Sequence, residues 1–260
     1  MRKSSKWLLI SAVLLCLALV IVAIGFCKVW PARASYLKWR FYGGEDNEIR
    51  SMCLSGQLDR EDVIRLAQSG ASLQVRMAAL QCFTEKERFE RPLSEDVVEA
   101  VAAFAKNPPS GVAERDAWAT WLCDVMACSP QDEFYPIVEG LATSEDPLIR
   151  SNAPSVFGPY DYGGRGQLLL MKLLEDPVPL VRRSAIVGVA GVAASSEENA
   201  SDLLDQIRRG ILDSNTEQAS VRVFAMKVLW RYHRITREDL EKLAEDQQPE
   251  VAQEAQRLLL

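Results

Sequence analysis

The chain contains one histidine, His233, and this narrows the chemistry that it can perform. The sequence has only this one histidine and no Cys-x-x-Cys pair, which disfavours a dedicated zinc site. It also lacks a Gly-x-Ser-x-Gly nucleophile motif, a phosphate-binding loop and a dinucleotide fingerprint. His233 lies near the end of an apolar-periodic segment, where a cation interacts favourably with a helix dipole. We therefore expect a non-enzymatic protein without metal or cofactor, and a structural role for His233.

Two other groups of residues have types that suit chemistry, but their spacing favours structural roles. Trp118, Trp121 and Met126 recur at helical spacing, which indicates a packed helix face rather than a cofactor site. Acidic side chains also cluster at three places, where helix capping and solvation explain them better than acid–base catalysis does. These clusters lie at residues 94–96, 197–198 and 236–239.

The segment 157–166 combines four glycines with two tyrosines, an aspartate and an arginine. Glycine permits unusual backbone angles, and loops carry function more often than the elements that they connect. Tyrosine and arginine are also enriched at the hot spots of protein interfaces. Tyr160, Tyr162 and Arg165 are therefore candidate partner-binding residues. The alternative is a flexible linker that divides the chain into halves.

Four cysteines lie in predicted helices without the spacing of a disulfide framework: Cys53, Cys82, Cys123 and Cys128. Cys123 and Cys128 are five residues apart on one predicted helix, which is unfavourable for a bridge between them. We expect all four to be small buried apolar side chains.

A ten-residue motif predicts the elements that carry these residues. The complete copy, at residues 176–185, reads Asp-x-x-Pro-x-Val-Arg-x-x-Ala, and weaker copies occupy 144–153 and 246–255. Fainter copies occupy 75–79, 113–117 and 221–225. A recurrence near 35 residues is typical of stacked helix pairs. The alanines that end the copies are Ala79, Ala117, Ala153, Ala185, Ala225 and Ala255.

The motif has the composition of a helix start. Proline fits the first turn, and the preceding aspartate can accept hydrogen bonds from the free N–H groups there. Val181 and Ala185 share one face, where the small alanine lets a neighbouring helix approach. Arg182 lies beside that face and can pair with an aspartate of the adjacent repeat. We expect such pairs to be mostly exposed and to contribute well under about 1 kcal/mol each.

Apolar-periodic segments alternate with the motif and predict the other helix of each pair. No segment alternates convincingly with period two, so the sequence predicts no sheet. The result is an all-α fold of about six helix pairs. The alternating segments are residues 61–68, 94–106, 132–142, 167–175, 200–212 and 237–246.

The motif resembles that of HEAT repeats, an α-solenoid family, and the resemblance covers the chain from about Glu61 to Leu260. It implies a right-handed α-solenoid that acts as a scaffold and binds a protein or an extended peptide along its inner helices. HEAT-like bilin lyases, which handle tetrapyrroles, give an enzymatic alternative. The inner-helix arginines that the resemblance marks as candidate partner-binding residues are Arg76, Arg150, Arg182 and Arg222.

Charge divides the chain sharply. Residues 1–40 carry seven basic side chains and no acidic one, which leaves 23 basic and 36 acidic side chains in the rest, a balance of −13. A domain this acidic repels phosphate backbones. We therefore expect no nucleic-acid partner.

Residues Trp7–Phe26 contain no charged side chain, and as a helix they would reach about 30 Å, the thickness of a hydrocarbon layer. They predict a single transmembrane helix. A signal peptide cleaved after Ala32-Arg33-Ala34 is the alternative. The predicted organisation is a basic tail (1–6), a transmembrane helix (7–27), a basic aromatic stalk (28–44) and a HEAT-like domain (45–260).

The side of the membrane follows from the length of the tail. The two flanks of the predicted span carry nearly equal positive charge, so the positive-inside rule does not decide. A tail this short stays most simply in the cytoplasm, which predicts an extracytoplasmic repeat domain. Leu258, Leu259 and Leu260 form an apolar end, whereas terminal repeats usually have a polar outer face. Self-association through these leucines, or a place in a larger membrane complex, is therefore a further expectation.

Overall fold

The structure is a computed structural model that describes residues 51–68, 71–85, 89, 91–158, 160 and 162–260. Every regular element in these ranges is helical, which confirms the all-α class. None of the helices in these ranges has the length and hydropathy that a membrane crossing requires. The predicted tail, transmembrane helix and stalk lie outside the described residues.

The helices are short and follow one another closely, as the alternating pattern predicts. The α-helices are α1 (Arg60–Gln68), α2 (Leu73–Phe83), α3 (Glu95–Ala105), α4 (Val112–Cys128), α5 (Tyr135–Ala142), α6 (Pro147–Asn152), α7 (Arg165–Leu174), α8 (Pro179–Ser195), α9 (Glu197–Gln206), α10 (Ala219–Arg231), α11 (Arg237–Leu243) and α12 (Pro249–Leu259). Two 3₁₀-helices, Asp132–Phe134 and Ala153–Phe157, and a π-helix, Ile207–Leu212, extend α5, α6 and α9.

The described residues fall into two compact units, of which the first ends at Ala79. In this unit α1 and the first part of α2 bury Val63, Ala67 and Val75 completely. Arg76 donates a hydrogen bond from Nε to the carbonyl of Ala67 at 3.2 Å. An arginine of α2 thus bonds to the end of the helix that precedes it.

The second unit runs from Leu80 to Leu260. Its second-of-pair helices contact one another in chain order, α4 with α6, α6 with α8, α8 with α10 and α10 with α12. The first-of-pair helices do the same from α5 to α7 and from α7 to α9. Within a pair, α5 contacts α6, α7 contacts α8, and α11 contacts α12. Helices close in sequence are therefore also neighbours in space.

The valine–alanine face of the motif lies in the core, as predicted. Val181 and Ala185 are fully buried, and the alanines at positions 79, 153, 225 and 255 are equally inaccessible. The copy placed at residues 113–117 was wrong by one residue. Ala117 is only half-buried, and Trp118 occupies the core position, 3% exposed. Its ring stacks on that of Phe104 at 6.3 Å and its Nε1 donates to the Phe104 carbonyl, so a bulky side chain joins α3 to α4.

A close approach of α8 to the segment after α6 depends on glycine. Proline at position 154 lies where α6 has already given way to the 3₁₀-helix, because it cannot donate an intrahelical hydrogen bond. A Cβ added to Gly188 would lie 2.8 Å from the Pro154 carbonyl oxygen and 2.8 Å from Cδ2 of Leu170. A Cβ added to Gly191 would lie 3.1 Å from Cα of Gly158. Backbone therefore packs against backbone at this interface.

Cys128 differs from the sequence prediction, whereas His233 lies at a helix end as predicted. Cys53, Cys82 and Cys123 are buried as predicted, but Cys128 is exposed because it is the last residue of α4 and faces outward there. His233 follows α10 in a left-handed conformation, with φ +54°. Its N–H bonds to the Trp230 carbonyl, and the next N–H bonds to the carbonyl of Leu229, which closes the helix in a Schellman motif.

Candidate functional site

Arginines of successive helices bind carboxylates that precede the following helix of the same series. Arg150 donates from Nε to Asp176 Oδ2 at 2.7 Å and from Nη2 to Asp176 Oδ1 at 3.0 Å. Arg115 Nε lies 2.9 Å from Asp146 Oδ2. The two-pronged contact of Arg150 fixes orientation as well as distance, whereas Arg115 makes a single ionic contact.

The next two pairs repeat the same chemistry. Arg182 donates to both carboxylate oxygens of Glu217 at 2.6 Å. Arg222 donates to the two oxygens of Asp246 at 2.9 and 2.6 Å. We call this series the arginine ladder: Arg115–Asp146, Arg150–Asp176, Arg182–Glu217 and Arg222–Asp246.

The arginine ladder is far more buried than the sequence suggests. Side chains of its last three pairs are between 3% and 16% exposed. The prediction of mostly exposed pairs was wrong, because each pair lies in the interface between adjacent helices. Removing one partner of such a pair costs several kcal/mol, since the other charge is left unpaired away from water.

Each acidic residue of the ladder also shapes the turn that precedes its own helix. Asp176 Oδ1 accepts the N–H of Val178 at 2.9 Å, and Asp246 Oδ1 accepts the N–H of Gln248 at 2.9 Å. Burial alone would raise the pKa of Asp176, but the hydrogen bonds from Arg150 and from this N–H outweigh burial and lower it. The Arg222 guanidinium, with the Gln248 N–H, likewise lowers the pKa of Asp246.

The arginines also bind backbone within their own repeats. Arg150 Nη1 donates to the carbonyl of Ser144 at 2.8 Å, and Arg222 Nε donates to that of Leu212 at 3.0 Å. Arg182 bonds to the carbonyl of Asp176. Together with Arg76 on Ala67, all four arginines that were candidate partner-binding residues thus have internal hydrogen-bond partners. Partner binding by these arginines stays a prediction.

The other three candidates meet in a second cluster. The ring of Tyr162 lies 4.8 Å from that of Tyr160 and 5.8 Å from that of Tyr135, measured between centroids. Arg165 stacks over Tyr135 at 4.1 Å and donates from Nη2 to Asp132 Oδ1 at 3.1 Å. The tyrosine cluster, Tyr135, Tyr160 and Tyr162, thus joins the segment before α7 to the start of α5.

Tyr162 is the buried centre of this cluster. It is fully buried in a left-handed backbone conformation, with φ +52°. Arg165 Nε donates to its carbonyl at 2.8 Å. Burial raises the pKa of the Tyr162 phenol above its ordinary value, and it raises the pKa of the nearby Cys123 thiol to about 12. These neutral groups pack rather than ionise, which disfavours the flexible-linker alternative for residues 160 and 162–166.

An exposed face that the sequence did not single out lies on α8 and α10. Leu180 and Val187 on α8 are 45% and 50% exposed, and Trp230 on α10 is 38% exposed. The guanidinium of Arg183 lies 5.1 Å from the ring centroid of Phe224, which bridges the two helices. We call this surface the α8–α10 face: Leu180, Arg183, Val187, Phe224, Lys227 and Trp230.

The signal for this face was present in the sequence. Residues 180, 183 and 187 recur at helical spacing, as do 224, 227 and 230. Because α8 is apolar on its buried side too, its outer stripe does not stand out from the core pattern. The charged residues Arg183 and Lys227 are what distinguish these outer stripes from the core pattern.

A separate apolar cavity of about 560 Å³ lies beside α3 and α5. Trp118, Pro136, Ile137 and Leu141 are among the residues that line it, and Lys106 is one of its polar lining residues. Within the described ranges no group of three or more His, Cys, Asp and Glu side chains is placed to hold a metal ion.

Comparisons with known proteins give no family for this chain. No family model matches it, and no curated protein matches it. Among solved structures, a crystal structure of an engineered protein is 20% identical over 76% of this chain and 95% of that chain, with a TM-score of 0.41. A similarity this low supports no conclusion about function. The HEAT resemblance stays a prediction from the motif.

Proposed function

We propose that this chain is a membrane-anchored scaffold of HEAT-like helix pairs that binds a protein or peptide partner. The arginine ladder is the observation that carries the proposal. It links α4 to α12 through four successive pairs, so neighbouring repeats are held in one orientation. In a right-handed α-solenoid this serial linkage presents an extended surface. A surface fixed before binding loses less entropy when a partner docks.

The membrane anchor is the second part of the proposal. The uncharged run Trp7–Phe26 supports it, and the repeats then lie on the extracytoplasmic side. Confinement to a membrane raises the effective concentration of the scaffold near membrane-bound partners. Alkaline carbonate extraction of the full chain is expected to leave it in the membrane pellet. Release into the supernatant would contradict the anchor.

Crosslinking in cells tests the binding function. A photoreactive amino acid placed at exposed positions of α8 or α10 in the full chain is expected to capture one discrete protein. As a matched control, the same group goes at Arg237 on α11, whose side chain is 76% exposed. Equal crosslinking of many proteins from both positions, or of none from either, would overturn the scaffold proposal.

A further inference from the structure

A cavity of about 310 Å³ lies where the end of α7 meets the π-helix that extends α9. Its volume is at the lower end of the range for ligand sites, which is about 300–1,000 Å³. We call it the polar cavity, and Glu175, Gln206, Gly210 and Thr216 are among the residues that line it. Three of these four, Glu175, Gly210 and Thr216, are exposed, so the cavity is open to solvent.

The charges in the wall of the polar cavity leave a negative side chain without a cation. Arg182 is the one basic lining residue, and it donates from Nε and Nη2 to Glu217 at 2.6 Å. Its Nη1 bonds to the carbonyl of Asp176. Glu175 forms no ion pair in the part of the chain that the structure describes, and its Oε1 accepts a hydrogen bond from Gln206 Nε2 at 2.9 Å. The unneutralised charge of this cavity is therefore negative.

Two helix ends add to the negative potential. α7 ends at Leu174 and the π-helix ends at Leu212, so the polar cavity lies beside the C-terminal ends of both, which carry partial negative charge. The two N–H groups that could bond to the Leu174 carbonyl beyond the end of α7 are not free. Pro177 has none, and that of Val178 donates to Asp176 Oδ1 at 2.9 Å.

Gln206 contributes an acceptor without a donor. Its Nε2 donates to the carbonyl of Met171 at 3.2 Å as well as to Glu175, so both N–H groups are used and the orientation of the amide is fixed. Its Oε1 is buried and accepts no hydrogen bond from the described residues. This oxygen leaves an uncompensated partial negative charge in the wall of the polar cavity.

Gly210 keeps one side of the polar cavity open. Glycine inside a helix is less favourable than alanine. A Cβ added to Gly210 would have no neighbour within 4 Å, so packing does not require glycine here. Turns of π-helix are also rare and are frequent at functional sites. A larger side chain at this position would narrow the opening.

We infer that the polar cavity binds a lysine or arginine side chain of a partner protein, an inference that deepens the proposed scaffold function and rests on it. The cation of that side chain meets Glu175 and the two helix ends, and its methylene groups pack against Leu174 and Ile211 in the wall. The chain beyond residue 40 has a balance of −13, so the surroundings of the cavity attract the same basic partner.

Other charged ligands fit the polar cavity less well. An anion would meet the unpaired carboxylate of Glu175, and the guanidinium of Arg182 already holds Glu217. A metal ion needs several ligands, and the described residues provide no group of three or more His, Cys, Asp and Glu side chains placed to hold one. An ammonium or guanidinium group needs acceptors and negative potential, which this cavity supplies.

The test uses full-length protein in a nonionic detergent at about 0.15 M salt, where charges more than about 8 Å apart are largely screened. Two labelled Gly/Ser-rich peptides of about 12 residues carry either lysines or acetyl-lysines, which lack the charge, at the same positions. Fluorescence anisotropy measures binding, and we expect the lysine peptide to bind and the acetylated peptide not to bind. Glu175→Lys should weaken binding by about 10-fold or more, and Gly210→Leu by about 5-fold or more. Circular dichroism checks that each variant is folded.

Glu99→Lys on α3 is the matched control, because Glu99 is exposed, does not line the polar cavity and changes the net charge by the same amount. It should leave the peptide affinity within about twofold of wild type. Equal binding of both peptides, or equal effects of Glu175→Lys and Glu99→Lys, would overturn the inference, since attraction to the acidic surface as a whole then explains the binding. If crosslinking captures a partner but the two lysine variants bind the peptide alike, only this inference fails. If the peptide binds through Glu175 but no partner is captured, only the scaffold proposal fails.

Discussion

Replacing Arg222 by methionine tests the arginine ladder most directly. Methionine keeps much of the length of the side chain but removes the charge and every donor. Arg222 is 2% exposed and donates to Leu212, Asp246 and Gln248. The substitution therefore leaves the Asp246 carboxylate, itself 11% exposed, without a cation.

The expected cost follows from that burial. Removing one partner of a buried ion pair costs about 3–5 kcal/mol. Asp246 keeps the N–H of Gln248, which satisfies part of its charge, so we expect the lower end, about 3 kcal/mol. With an m-value of about 2 kcal/mol/M, the urea midpoint falls by about 1.5 M. A second substitution, Asp246→Asn, removes the stranded charge but keeps the turn, so the double variant should lose less than the sum of the two single variants.

Urea unfolding of the full chain, followed by circular dichroism, measures both effects. Arg237→Met is the matched control, because Arg237 and its partner Glu241 are 76% and 59% exposed. We expect it to change the free energy of unfolding by about 0.5 kcal/mol or less. An Arg222 variant within 1 kcal/mol of wild type, or strict additivity with Asp246→Asn, would refute the view that the ladder joins the repeats.

Three further predictions follow from local geometry. Gly188→Ala should lower the free energy of unfolding by about 2 kcal/mol, because the added Cβ would lie 2.8 Å from the Pro154 carbonyl oxygen. Gly140→Ala is the control: its Cβ would have no neighbour within 4 Å, so the substitution should be neutral or stabilising. Thermal melting compares the two variants. Folding lowers the pKa of Asp176, so its contribution to stability is complete above the ordinary pKa near 4 and is lost as pH falls through the pKa of the folded state. Urea unfolding from about pH 6 to about pH 2.5 should show this loss of stability, and Asp176→Asn should reduce its dependence on pH. His233→Gly should raise the unfolding free energy by about 0.5–1 kcal/mol, because glycine adopts φ +54° without strain; an unchanged or lower midpoint would contradict this.

Helix starts were predictable because the signals are local. Proline begins α6, α8 and α12, and Thr236 with Asp239 forms a capping box at the start of α11, all readable from a few adjacent residues. The π-helix at the end of α9 was not predictable, since its buried residues Ile207, Ile211 and Leu212 fit an α-helical pattern as well. Local sequence fixes where a helix begins more firmly than how it ends.

Burial of the ladder and the identity of its partners depend on the stacking of neighbours, which local sequence does not encode. The motif predicts an aspartate for Arg182, but the structure provides Glu217, 35 residues away in a loop without a proline. The register of the copy predicted at residues 113–117 also depends on the stacking of neighbouring helices. In that predicted copy Glu114 stands at the position where the complete motif has arginine. The residue that joins the arginine ladder is the next one, Arg115.

The repeated guanidinium–carboxylate contact has a consequence for how the array changes length during evolution. The same guanidinium–carboxylate contact joins each of the helices α4, α6, α8 and α10 to the next helix of the series. A segment that runs from one ladder arginine to just before the next therefore contains one arginine and one carboxylate of the ladder. If such a segment is duplicated or deleted, the arginine and the carboxylate at the new boundary can still pair. The chain can thus gain or lose whole repeats without inventing a new interface.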